Sequence, residues 1–261
     1  MKAVLIQLAV CDGETPRQRM ERVCNRLEQL TDTDLVLLPE MWRTGFSAFD
    51  AYLTESEPLC GETTQTLAEY AKRRKTNLLT GSFVEQRDGH CYNTMALIDR
   101  TGRIADTYQK VHLFGFESRE RDILTAGNRY VTVQTDCGSI GMATCYDLRF
   151  PEQFRAMVDR GAQLFAVTAA WPMVRLEHWR LFCQARALEN QCFLLACNHA
   201  GTHCGVQGAG HSMIVDPNGV ILAEAGAEEQ VLTAEIDIEQ VAQARRNFSA
   251  LHDRVNLSGE K

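Results

Sequence analysis

The chain has 261 residues, a formal net charge of −7, and 45% hydrophobic against 23% charged residues. That balance is ordinary for a globular protein with a full-sized core, and the acidic excess argues against a nucleic-acid partner held through its phosphates. No run approaches the roughly 20 apolar residues of a membrane helix, so no membrane partner is expected.

The first apolar segment, AVLIQLAV, has the length of a signal-peptide core. Gln7 interrupts it, however, and Cys11-Asp12-Gly13 follows where a small-residue cleavage site would stand. A buried strand over 2–10 in a cytoplasmic protein is the better expectation. Thr15-Pro16 supplies a helix cap and a first-turn proline. Met20, Val23, Leu27 and Leu30 then recur at helical spacing, predicting a helix over 16–30. DLVLLPE reads as a strand over 34–40 stopped by proline, and Leu67, Tyr70 and Ala71 mark a helix over 63–75.

Strands at 77–85, 92–99 and 103–108, separated by turns at Gln86-Arg87-Asp88-Gly89 and Asp99-Arg100-Thr101-Gly102, read as a meander. Residues 109–129 look irregular. Strands follow at 130–136 and 139–144, a helix at 151–160, a strand at 163–168, a helix at 175–190 and a strand at 192–198. A hairpin over 211–224 turns on Asp216-Pro217-Asn218-Gly219. A strand at 230–236 and a helix from 238 close the chain. This interleaving predicts an α/β fold with mixed rather than purely parallel sheets, in one domain over 1–261. Periodicity alone leaves open whether there is one sheet or two.

The chain has ten cysteines, with no CxxC pair and no clustered framework. They read as small buried thiols in a reducing compartment. Cys197, His199, His203, Cys204 and His211 invite a zinc reading, but their spacing fits no familiar paired pattern and no metal is expected there.

Three apolar strands end abruptly in chemically capable residues: Glu40 in LVLLPE, Lys110 in DTYQKVHLF and Cys145 in IGMATCYDLRFPE. A nucleophile, a base and an oxyanion-stabilising cation are the parts an acyl-transfer site needs. Residue types alone leave an equal alternative of solvated carboxylate, surface cation and inert thiol.

The segments LLPEMWRTGFS, YQKVHLF and ATCYDLRFPE resemble, in order, the glutamate, lysine and cysteine regions of the nitrilase superfamily of carbon–nitrogen hydrolases. The likeness continues through AAWPMVRLEHWRLFCQARALENQ and GHSMIVDPNGVIL, and so spans nearly the whole chain. It implies a four-layer α-β-β-α sandwich that pairs as a homodimer through its helical layers. It also implies Cys145 as nucleophile, Glu40 as general base and Lys110 as the cation at the tetrahedral intermediate. A second glutamate, seven residues before a glycine, falls at Glu120, with Glu117 as the neighbouring alternative; its implied task is to position Lys110 and the substrate. No metal or organic cofactor is required.

Four further residues are candidates for substrate contact: Tyr146 after the nucleophile, Trp171 at a strand end, and Arg43 and His112 beside the signature segments. Asp147 and Arg149 read equally as an ion pair fixing the loop. The segments look most like the ω-amidase branch, which acts on the terminal amide of 2-oxoglutaramate or 2-oxosuccinamate. Tyr146 stands where a true nitrilase typically has tryptophan, which favours amide over nitrile chemistry. Carbamoyl-amine hydrolase, aliphatic amidase and nitrilase are the alternatives within the family. A silent scaffold and a metal-binding protein are the alternatives outside it, and the intact triad argues against the scaffold.

Overall fold

The computed structural model describes residues 1–255; positions 256–261 of the expected 1–261 domain lie outside the described residues. The first part of the chain runs β1 (Lys2–Gln7), α1 (Pro16–Glu28), β2 (Leu35–Leu37), α2 (Glu62–Arg74), β3 (Asn77–Arg87), β4 (His90–Ile98) and β5 (Ile104–Gln109). It continues through α3 (Glu120–Ile123), β6 (Val131–Thr135), β7 (Gly138–Thr144), α4 (Pro151–Asp159), β8 (Leu164–Ala169), α5 (Leu176–Asn190) and β9 (Phe193–Asn198). A small hairpin, β10 (Thr202–His203) and β11 (Val206–Gln207), precedes β12 (Met213–Val215), β13 (Ile221–Glu224), β14 (Gln230–Glu235) and α6 (Glu239–Asn247).

Two six-stranded sheets result, in the orders β14-β1-β2-β3-β4-β5 and β13-β12-β9-β8-β7-β6. Each has three parallel strands at its heart, β1-β2-β3 in one and β7-β8-β9 in the other, with antiparallel strands at both flanks. The expected meander is the β3-β4-β5 flank.

Side-chain alternation explains the layering. In β1, Ala3 and Leu5 pack with Leu97, Ile140, Leu164 and Leu195 between the sheets, while Val4 and Ile6 face α1 and α2. The other face of the second sheet is covered by α4 and α5 through Phe154, Met157, Trp179 and Cys183. The architecture is therefore helix, sheet, sheet, helix.

Boundaries moved where local chemistry overrides periodicity. The predicted helix over 16–30 ends at Glu28, and its start is a true capping box: Thr15 Oγ1 accepts from Gln18 N–H at 3.3 Å and Gln18 Oε1 accepts from Thr15 N–H at 2.9 Å. The predicted strand over 34–40 ends at Leu37, so Glu40 sits in a turn beyond the sheet. The irregular segment 109–129 contains the one-turn helix α3, and the β10–β11 hairpin was not anticipated because two-residue strands leave no periodic signal. No helix among the described residues is long and apolar enough to cross a membrane.

Leu195 has no exposed surface and packs in the shared layer between the sheets. Leu195→Ala is expected to destabilise the protein by about 2–5 kcal/mol, read as a lower urea midpoint with an unchanged slope. A loss below about 1 kcal/mol would mean that the inter-sheet layer repacks around the gap.

Candidate active site

Four of the predicted residues converge at the carboxyl ends of the central strands, where open α/β sheets expose their connections. Glu40 follows β2 through Pro39, and its turn is drawn onto the neighbouring strand. Ser82 N–H donates to Pro39 O at 3.2 Å and Met41 N–H to Ser82 Oγ at 3.1 Å. Gly81 makes this approach possible. It lies in a bulge of β3 at φ +65°, and a Cβ there would stand 2.1 Å from Pro39 O. Lys110 comes directly after β5, Glu120 opens α3, and Cys145 follows β7.

Lys110 Nζ donates to Glu40 Oε1 at 2.8 Å and to both Glu120 oxygens at 3.0 Å. Asn93 Nδ2 ties the two carboxylates together, at 2.9 Å to Glu40 and 2.8 Å to Glu120. Backbone donors complete the cage: Ala170 N–H to Glu40 Oε2 at 2.8 Å, and Phe114 N–H to Glu120 Oε2 at 2.7 Å. The ion-pair side chains have no exposed surface. Burial alone would lower the Lys110 pKa, but the Glu120 and Glu40 carboxylates outweigh it and raise it, so the ammonium is permanent. Burial raises the Glu120 pKa, with Lys110 opposing. Burial also pushes the Cys145 thiol well above its ordinary value; Glu40 adds to this and Lys110 opposes it. The resting sulfur is therefore a thiol beside a carboxylate.

Cys145 adopts φ +47°, a left-handed conformation costing a non-glycine residue about 1–2 kcal/mol. Asp147 holds that elbow. Its buried carboxylate accepts from Thr144 N–H at 2.8 Å, Tyr108 O–H at 2.7 Å and His112 N–H at 3.2 Å, and lies 2.7 Å from His112 Nδ1. Two expectations change here. Asp147 does not pair with Arg149, and His112, stacked on Phe150 with ring centres 3.8 Å apart, braces the elbow instead of facing substrate.

Cys145 opens into a cavity of about 680 Å³ lined by Tyr146 and Trp171, two of the substrate-contact candidates, together with Phe46, Phe114, His199, Arg149 and Arg175. Arg43 is not on its wall; its guanidinium is bound to Glu57, Glu62 and Thr63. Burial lowers the His199 pKa to about 4, so its ring is neutral at pH 7. Arg149 lies 5.0 Å from the Trp171 ring and Arg175 5.7 Å from the Phe116 ring. Among the described residues, neither guanidinium has a carboxylate partner. Sequence reasoning missed Asn93 and Arg175 as candidate site residues, and weighed Arg149 for substrate contact only beside the ion pair with Asp147 that does not form. Asn93 did carry a signal, as a strand-averse amide inside an apolar strand. The zinc group considered from sequence does not assemble as a whole. Cys197 Sγ donates to Ile6 O at 3.3 Å, and His211 Nδ1 meets Glu224 at 2.9 Å.

A family profile described as carbon-nitrogen hydrolase matches residues 2–246. The chain belongs to the carbon–nitrogen hydrolase family. This hydrolase is 36% identical over 257 residues to 2-oxoglutaramate amidase of Paenarthrobacter nicotinovorans, covering 95% of this chain and 87% of that protein. It is 38% identical over 221 residues to 2-oxoglutaramate amidase of Bacillus subtilis, covering 84% of each. The crystal structure of Saccharomyces cerevisiae Nit3, a member of the nitrilase superfamily, superposes with a TM-score of 0.84 at 30% identity, over 95% of this chain and 93% of that one. The α-β-β-α sandwich is the fold of that superfamily.

Lys110→Met leaves two buried carboxylates without their cation. Removing one partner of a buried ion cluster typically costs about 3–5 kcal/mol, so a marked fall in the thermal midpoint is expected. An unchanged midpoint would mean that the cluster is not closed in solution.

Proposed function

We propose that this hydrolase cleaves the terminal amide of a small dicarboxylate monoamide, of the 2-oxoglutaramate or 2-oxosuccinamate type, through a thioester on Cys145. The observation that carries the reading is one cavity lined by Cys145, with the buried Glu40–Lys110–Glu120 cluster behind that cysteine, and by Arg149 and Arg175, which have no carboxylate partner among the described residues. The carboxylate at the end opposite the amide fits those cations, and a neutral aliphatic amide makes no use of them. The names of the two bacterial relatives support the same substrate class.

In this reading Cys145 Sγ attacks the amide carbon while Glu40 takes the thiol proton. The carbonyl oxygen becomes an anion facing Lys110 and the Tyr146 backbone N–H; one such donor is worth about 3–4 kcal/mol of barrier. The C–N bond breaks, Glu40 returns the proton to the departing nitrogen, and ammonia leaves. Glu40 then removes a proton from water as it attacks the thioester, releasing the dicarboxylate and the free thiol. Glu120 holds Lys110 in place from the side opposite Glu40. Each step uses groups of the chain itself, in the single domain expected over 1–261.

Ammonia release across a panel of amides, nitriles and carbamoyl amines tests this. Turnover is expected for 2-oxoglutaramate, 2-oxosuccinamate or succinamate, and Cys145→Ala is expected to abolish it. Arg149→Ala or Arg175→Ala is expected to lower kcat/KM for the charged amides by about 10–100-fold, the value of a hydrogen bond to a charged group, with little change for a neutral amide. Failure of all three acids while a carbamoyl amine or simple amide turns over would defeat the assignment.

The reading also includes a cytoplasmic homodimer. All ten cysteines are free thiols, which suits a reducing compartment. Leu181 and Leu188 of α5 are 66% and 55% exposed, and Val220 and Leu222 of the hairpin joined to that helix are 56% and 44% exposed. A paired helical layer would cover them. Leu181→Glu with Leu188→Glu is expected to shift the sedimentation mass from dimer to monomer, whereas a wild-type monomer would refute the dimer.

A further inference from the structure

The β10–β11 hairpin pairs Thr202 with Gln207 and His203 with Val206 around a two-residue loop, Cys204-Gly205. Both loop residues have positive φ, 50° and 76°, the conformation that Asn-Gly usually supplies. A cysteine there bears the left-handed penalty of about 1–2 kcal/mol, and Cys204 is exposed, so no packing offsets it. Asp12 reaches across from the first sheet and accepts Cys204 N–H on Oδ1 at 2.9 Å. His203 is only 9% exposed and sits over Gly45, where a Cβ would stand 2.4 Å from its Cε1. Its buried Nδ1 has no hydrogen-bond partner among the described residues. The ligand-capable atoms of Asp12, His203 and Cys204 all lie within 4.8 Å of one another.

We propose that Asp12, His203 and Cys204 form a three-ligand site for a divalent cation of the zinc class on the wall of the catalytic cavity. Zinc bonds of about 2.0–2.3 Å place tetrahedral ligand atoms roughly 3.3–3.8 Å apart. The cluster therefore needs to close by about 1 Å, within reach of rotation by the exposed Asp12 and Cys204 side chains. One thiolate, one imidazole and one carboxylate select a borderline cation over Mg²⁺ or Ca²⁺, which prefer oxygen. Binding displaces the Cys204 thiol proton to solvent and leaves the fourth position open. His203 and Cys204 both line the cavity, so occupation narrows the route to Cys145 and inhibits reversibly.

The test separates this site from capture of zinc by the catalytic thiol. Zn²⁺ is titrated into Cys145→Ala protein against a chromophoric chelator, with one equivalent expected. Cys204→Ser in that background should weaken binding at least about tenfold, since even partners outside the ligand shell are worth 10–100-fold. His203→Gln should do the same, and Cys11→Ser, next to Asp12, should not. In the Co²⁺-loaded Cys145→Ala protein, a thiolate charge-transfer band should vanish with Cys204→Ser and persist with Cys11→Ser. Absence of binding, affinity indifferent to Cys204→Ser, or a band that follows Cys11 would overturn the proposal.

Discussion

A lysine ammonium between two carboxylates, all stripped of water, organises everything around it. Lys110, Glu40 and Glu120 have no exposed side-chain surface in their ion pairs, and isolated charges in that position would cost several kcal/mol each. The structure meets the cost with partners from both sheets. Glu40 and Lys110 come from strand ends of the first sheet, Asn93 from the middle of β4, and the Ala170 N–H from beyond the end of β8 in the second. The cluster is therefore complete only when the two sheets are packed together. Lys110, fully surrounded, keeps its ammonium in place through three hydrogen bonds to the two carboxylates.

The second constraint is the strained backbone at Cys145. Its left-handed φ turns the chain sharply from β7 toward α4 and sets the thiol in the cavity wall. Strain of this kind persists only when the surroundings over-determine it. Asp147 supplies that through Thr144, Tyr108 and His112, and Gln153 Nε2 donates to the Tyr108 hydroxyl at 3.0 Å. His112, conspicuous beside Lys110 in the sequence, thus serves the elbow, and Arg43 is held by Glu57, Glu62 and Thr63.

In the proposed reading, chemistry and selectivity occupy different layers of the site. A closed ionic cage lies behind Cys145, whereas the cavity wall carries aromatics with guanidiniums lying over them, Arg149 near Trp171 and Arg175 near Phe116. Such cations keep their positions through contact with ring faces while leaving their N–H groups free for an anion. The β10–β11 hairpin forms another part of this wall, and its Cys204 and His203 give the cavity a metal-capable rim distinct from the cage.

Much of this was legible in the sequence, for stated reasons. Alternating apolar strands, the Thr15-Pro16 cap and the interruption of apolar runs at Glu40, Lys110 and Cys145 are local features, and local chemistry writes them into the chain. The resemblance of three ordered segments added the fold and Glu120. Contacts between distant segments were not readable. Asn93 bridges partners 53 and 27 positions away, and Arg43 and His112, adjacent to signature residues in sequence, turn out to be bound to Glu57 and Asp147. Asp12 meets Cys204 across 192 positions. The sequence by itself determined most element types, the mixed α/β class and, with the ordered family segments, the candidate reactive residues, because these depend on neighbours a few positions away. Only the tertiary structure decided which carboxylate meets which cation, since ion pairs and cavities form where separate strand ends are brought together out of water.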